Sequence, residues 1–169
     1  MIVFLDIDGV LNSVPAPLGE KDPNYPLIEH IEYERVVVFK EILKRLPNPR
    51  IVLSSFWRIS HRAELAAIFE RWDVPLWISI TPRDVFASKQ VLGYTEAGCS
   101  RGIEIKAWLE SNGNPSSYII LDDNWIIEEE GEYGGITEPL REHFYRVGDG
   151  LTEWDIDKIV KLAEKFATP

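Results

Sequence analysis

Short apolar runs recur along the chain, each closed by polar or turn-forming residues, and longer stretches with apolar positions three and four apart lie between them. The first run, Ile2 to Leu5, is too short for a helix and rich in β-propensity, so it predicts a strand buried on both faces. Ile51 to Leu53, Leu76 to Ile80 and Tyr118 to Leu121 repeat that pattern, and Phe144 to Val147 predicts a fifth strand at a sheet edge. Leu27 to Leu46 predicts a helix: Ile28, Ile31, Arg35, Val38, Phe39, Ile42 and Leu46 form one stripe, with Arg35 its only polar member. Pro47 and Pro49 stop it. Leu65, Ile68, Phe69 and Trp72 share one face of the next predicted helix. Ile105, Trp108 and Leu109 share a face of a third, which opens at Arg101-Gly102 and ends at Asn112-Gly113, a natural C-cap. Thr152-Glu153-Trp154-Asp155 has the capping-box pattern ahead of a last helix with Ile156, Ile159, Val160, Ala163 and Phe166 inward.

Strands alternating with helices, several of them continuously apolar, predict an α/β fold whose parallel sheet is covered on both faces. No repeat or linker divides residues 1–169, so a single domain is expected. Ser13 to Pro26 holds four prolines and reads as a loop placed to cover a site or merely to connect. Residues 81–100 read as irregular, and Glu128 to Gly135 as an acidic surface loop. Right-handed crossovers put the carboxyl ends of parallel strands on one edge. Asp6, Asp8, Ser54, Ser55, Asp122 and Asp123 would then converge there from three strands. Carboxylates at the exit of a buried strand are costly unless compensated, and a bound divalent cation would compensate them.

The formal net charge of −10 argues against sequence-independent nucleic-acid binding, which needs clustered Lys and Arg. The only cysteine, Cys99, has no evident base beside it, and a lone thiol suits a reducing compartment, so a cytoplasmic location is expected. The N-terminal apolar run contains aspartates and no basic lead, unlike a signal peptide. No apolar segment nears the roughly 20 residues a bilayer requires. His30, His61 and His143 show no metal-ligand spacing and read as structural or surface residues. Trp57 stands where it could line a substrate entrance.

Asp6-Ile7-Asp8-Gly9-Val10 after an apolar strand resembles the first motif of the haloacid dehalogenase-like (HAD) phosphohydrolases. Ser54 resembles their second motif, Arg101-Gly102 the third, which is more often Lys, and Asp122-Asp123 the fourth. More narrowly, I-V-L-S-S-F-W-R (51–58), R-G-I-E-I-K-A-W-L (101–109), I-L-D-D (120–123) and G-L-T (150–152) resemble the HAD domain of "Swiss army knife" RNA-repair proteins.

The resemblance implies a Rossmannoid three-layer sandwich around a mainly parallel five-stranded sheet. The gaps between motifs leave no room for a folded cap domain, which implies an open site. It further implies a Mg²⁺-dependent phosphomonoesterase, with Asp6 as nucleophile and Asp8 as general acid and base. Ser54 would bond the phosphoryl group and Arg101 neutralise it, with Lys106 the competing cation. The implied metal ligands are Asp6, Asp8 through its backbone carbonyl, and Asp122, with Asp123 either a further ligand-side carboxylate or a partner to one. Ser55 and Arg58 are candidate substrate contacts, Arg58 being otherwise a surface helix residue. The implied partner is a phosphorylated substrate: a nucleotide, a nucleic-acid end or another phosphomonoester. A non-catalytic phosphate-binding module and a phosphoacceptor switch are the competing readings.

Overall fold

The computed structural model describes residues 1–13, 30–82, 101–123 and 138–167. Five strands form one sheet, all in parallel: β1 (Ile2–Leu5), β2 (Arg50–Leu53), β3 (Ser79–Ile80), β4 (Tyr118–Asp122) and β5 (Phe144–Arg146), in the spatial order β3-β2-β1-β4-β5. The order reverses at β1, which lies at the centre between β2 and β4. That is the topological switch point, where open α/β sheets bind ligands beyond their strand ends.

Side chains alternate across the sheet. Val3, Leu5, Ile51, Leu53, Ile119 and Leu121 belong to one core layer, shared with α1 (Tyr33–Arg45), α3 (Arg62–Arg71) and α5 (Glu153–Glu164). Phe4, Val52 and Ile120 face the other layer, filled by Ile105, Trp108 and Leu109 of α4 (Arg101–Ser111). Each fully buried Leu, Ile or Phe here contributes on the order of 2 kcal/mol of transfer free energy, which is why β1 needs no polar face. This is the expected three-layer α/β sandwich, and no cap domain is present among the described residues.

Three elements differ from the sequence pattern. Residues 27–29 of the helix expected over Leu27–Leu46 lie outside the described residues; beyond them α1 starts at Tyr33, because the Glu32 N–H donates to Leu11 O and holds Glu32 extended. The Glu32 carboxylate instead accepts from the Ser13 N–H at 2.7 Å and from Arg35 Nε at 3.0 Å. Arg35, the polar residue on an apolar stripe, also donates from Nη1 to Leu151 O at 2.9 Å. The helix expected after β2 is broken at His61 into a short α2 (Trp57–Ser60) and α3. The third strand shrinks from Leu76–Ile80 to Ser79–Ile80, since it has β2 on one side only and leaves Leu76 and Ile78 exposed.

The expected capping box holds: Asp155 Oδ2 accepts from the Thr152 N–H at 2.8 Å and starts α5. Just before it, the N–H groups of Gly150 and Leu151 donate to Gly9 O and Val10 O. The late G-L-T segment thus closes over the turn that follows β1. Most of the Ser13–Pro26 loop, most of residues 81–100, Cys99 and the acidic run Glu128–Glu130 lie outside the described residues.

Candidate active site

One row of residues crosses the sheet where the strands end. The Asp6 N–H donates to Leu121 O, the Ser54 N–H to Leu5 O, and the Thr81 N–H to Leu53 O. Each bond continues the parallel ladder by one residue. The pairing of Leu5 with Leu121 and Leu53 therefore sets Asp122, Asp6, Ser54 and Thr81 side by side. By alternation these side chains fall on the face of Phe4, Val52 and Ile120, the face that α4 covers.

The first residue of α4 consequently reaches the row. Arg101 Nη1 stands 2.9 Å from Asp6 Oδ1 and 3.4 Å from Asp122 Oδ2. Burial alone would pull its guanidinium down, but the charges of Asp6 and Asp122 override that and raise it above the ordinary arginine value. Asp6 Oδ1 also accepts the Ile7 N–H at 2.8 Å. Lys106 lies elsewhere: with Leu109, Glu110, Tyr118 and Pro139 it lines a groove by the opposite end of β4.

Carboxylate oxygens of Asp6, Asp122 and Asp123 lie within 4.8 Å of one another. Burial, and then the charge of Asp6, pushes the Asp123 carboxyl up. Asp123 packs against Gly9, whose φ of +69° belongs to the left-handed region. A Cβ there would collide with the Asp123 carboxylate, so glycine is needed for both its conformation and its lack of a side chain. The three carboxylates are grouped together, two of them beside the Arg101 guanidinium. Hard oxygen donors in that arrangement fit a divalent cation such as Mg²⁺.

Asp8 is set apart from this cluster. Its Oδ2 accepts the indole N–H of Trp57 at 2.8 Å, and its Oδ1 accepts Asn12 Nδ2 at 3.1 Å. Trp57, expected to line a substrate entrance, is instead buried, with its indole N–H on Asp8. Ser54 Oγ and Thr81 Oγ1 are buried with no hydrogen-bond partner among the described residues. Unmet hydroxyls are costly to bury, and their position at a strand-exit row fits an anionic ligand.

Arg58 matches neither of its expected places. It is 4% exposed, so it is no surface residue. Its Nη1 donates to Ser54 O at 2.9 Å and Ser55 O at 2.7 Å, its Nε to Thr81 O at 3.1 Å, and its Nη2 to Glu104 Oε2 at 2.7 Å. These inward acceptors draw the guanidinium into the wall of the site, where it ties β2 and β3 to α4. Burial pulls it below the ordinary arginine value despite Glu104. Ser55, also buried, accepts the Trp57 N–H on its Oγ at 3.3 Å, at the start of α2.

Sequence reasoning missed Asn12, Thr81 and Glu104, and misplaced Trp57. Thr81 carried a signal, being a hydroxyl at the exit of an apolar run like Ser54. Glu104 carried a weaker one, a carboxylate one helical turn after Arg101 in an apolar helix.

A search of curated proteins finds no match. Among solved structures, the chain is similar to the HAD domain of effector protein Lem4 from Legionella pneumophila, at 18% identity and a TM-score of 0.51. The similarity covers 99% of this chain and 97% of that one, and at such identity it shows the fold alone. The family model described as "HAD domain in Swiss Army Knife RNA repair proteins" matches residues 2–156. That span holds the strand-exit row, Arg101 and the acidic cluster, and the chain belongs to this family of HAD domains.

Proposed function

We propose that the protein is a phosphomonoesterase that works through an aspartyl-phosphate on Asp6 and requires Mg²⁺. The observation that carries this reading is the buried row itself: the Asp6 carboxylate, flanked by Arg101 at 2.9 Å, stands beside a Ser54 hydroxyl with no hydrogen-bond partner among the described residues. A nucleophile, a cation and an empty-handed donor are what phosphoryl transfer needs from a protein, since positioning and charge do most of the work.

Oδ1 of Asp6 is held by the Ile7 N–H, which leaves the other carboxylate oxygen to attack phosphorus. The bond from phosphorus to the leaving oxygen breaks, and that oxygen takes a proton from Asp8. Asp8, now a carboxylate, accepts a proton from the water that attacks the aspartyl-phosphate. Phosphate departs and Asp6 is restored. Ser54 Oγ donates to a phosphoryl oxygen, and Arg101 spreads its charge against the oxygens that gain charge in flight. Asp6, Asp122 and Asp123 would hold Mg²⁺, which when bound would offset charge on the phosphoryl oxygens. The family resemblance adds the Asp8 carbonyl to that set.

The absence of a cap among the described residues supports a site open to the phosphate end of a nucleotide or polynucleotide. The protein's acidity favours contact at the end alone over binding along a strand. Hydrolysis of p-nitrophenyl phosphate and of 5′- and 3′-phosphorylated oligonucleotides tests the reading. Activity should vanish with EDTA and return with Mg²⁺. Asp6→Asn should abolish it while circular dichroism stays unchanged, because the substitution removes an attacking oxygen and keeps the shape. Turnover retained in that purified variant would sink the covalent route.

A further inference from the structure

The contact between Trp57 and Asp8 crosses from the second motif to the first, and nothing in the assigned chemistry uses it. Trp57 is 1% exposed, and its only polar atom must find an acceptor when buried. Its Nε1 lies 2.8 Å from Asp8 Oδ2. On the other side of the same carboxylate, Asn12 Nδ2 lies 3.1 Å from Oδ1. The orientation of the Asn12 amide is not free: its Oδ1 accepts the Gly9 N–H at 2.8 Å, so the amino group must face Asp8. Asp8 is thus held at both oxygens by groups that can only donate.

Resting on the phosphatase reading above, we infer that Trp57 is a positioning residue for Asp8, with Asn12 as its counterpart. The two donors fix the plane of the carboxyl group, so it cannot turn about its last side-chain bond without losing both. They also decide where a proton can sit. A hydrogen on Asp8 cannot lie between an oxygen and an N–H that already points at it. It must take a lone pair turned away from Trp57 and Asn12. A group that gives a proton to the leaving oxygen and then takes one from water needs the same geometry twice. The donors supply that constancy, and α2 carries one of them because β2 delivers Trp57 just past Ser54.

The dependence on leaving group separates positioning from mere packing. p-Nitrophenolate departs without a proton, whereas an alkoxide does not. kcat/KM reports steps up to the departure of the leaving group, so it isolates the acid role of Asp8. In the wild type both p-nitrophenyl phosphate and an alkyl phosphate should be hydrolysed. Asp8→Asn should lose far more on the alkyl phosphate. Trp57→Phe should repeat that pattern in milder form, losing about tenfold on the alkyl phosphate, the scale of one hydrogen bond, and little on the aryl one. Replacing Trp57 by its sulfur analogue 3-benzothienylalanine keeps the ring outline without the N–H, and should give the same split if phenylalanine loosens the fold. Equal losses on both substrates in the sulfur variant, with Asp8→Asn still selective, would overturn the positioning role alone. A wild type inactive on both would overturn the phosphatase reading and this inference with it, whereas an active wild type whose Asp8→Asn variant shows no split would overturn the acid role of Asp8 and this inference alone.

Discussion

At the scale of single residues, the site turns on which cation meets the nucleophile. Arg101 and Lys106 are five positions apart on one helix, a little under one and a half turns, so they project to different sides and heights of α4. Arg101 faces Asp6 and Asp122, while Lys106 borders the groove near Tyr118. Arg101→Ala should therefore lower kcat/KM by about a hundredfold, the scale of one lost transition-state donor. Arg101→Lys should recover part of that, since charge survives without the planar fork. Lys106→Ala should stay near wild type. Steady-state kinetics on one aryl phosphate reads all three, and a crippled Lys106→Ala beside an intact Arg101→Ala would reverse the assignment.

At the scale of elements, the Arg58–Glu104 pair joins the exits of β2 and β3 to α4. Both side chains are buried, at 2% and 8% exposure, and their ion pair is 2.7 Å long. Two charges gain little by being buried together, but removing one strands the other in a medium that cannot solvate it. Glu104→Ala should cost about 3 kcal/mol in urea unfolding, and less than that in an Arg58→Met background, where no guanidinium is left without its partner. If the double variant is as unstable as the sum of the two singles, the pair is not coupled. The same contact keeps the first turn of α4, and so Arg101, against the strand-exit row. Elements also explain which expectations moved. Helix α1 began late because the Leu11 carbonyl took the Glu32 N–H, and β3 shortened because it is paired with β2 alone, contacts absent from any local pattern.

At the scale of the whole molecule, charge is concentrated at the switch point, and ligand binding there should feed back on stability. A cation that binds only the folded chain stabilises it by mass action, by about 2.7 kcal/mol at a hundredfold excess over its Kd. Mg²⁺ should raise the melting temperature of the wild type, and Asp122→Ala should remove most of that rise. An unchanged rise in Asp122→Ala would move the metal elsewhere. A second whole-molecule effect comes from His143, stacked between Tyr118 at 3.8 Å and Phe166 at 3.7 Å. Burial lowers its pKa below the ordinary 6.5, against the opposing pull of its bond to Tyr118 O and of Glu142. As pH falls below that value the unfolded chain takes up a proton that the folded ring takes only at lower pH. Its contribution is thus complete above the unfolded pKa and is lost as pH falls through the folded one. The melting temperature should drop on acidification from neutral pH, and His143→Gln should flatten that part of the slope. An identical slope in the variant would remove His143 as the cause. Among the described residues no helix is long and apolar enough to cross a membrane.

The sequence by itself determined the strands at 2–5, 51–53 and 118–121 to within a residue of their observed ends, their parallel arrangement, and the polar residues at their exits. Those features are local: an apolar run's length decides strand over helix, and the backbone's twist decides the hand of each crossover. Asp6, Ser54, Asp122 and Asp123 were legible for the same reason, as costly polar residues where an apolar run stops, while Arg101 was singled out only by its resemblance to a family motif at a helix start. Only the tertiary structure decided what each touches. Register placed Thr81 beside Ser54, and the break at His61 left Trp57 turned toward Asp8. Burial turned Arg58 from a candidate substrate contact into the buried partner of Glu104. Such contacts join positions some 45 to 50 residues apart in sequence, as Arg58 to Glu104 and Trp57 to Asp8 do, and no pattern along the chain encodes which distant acceptor a donor will reach.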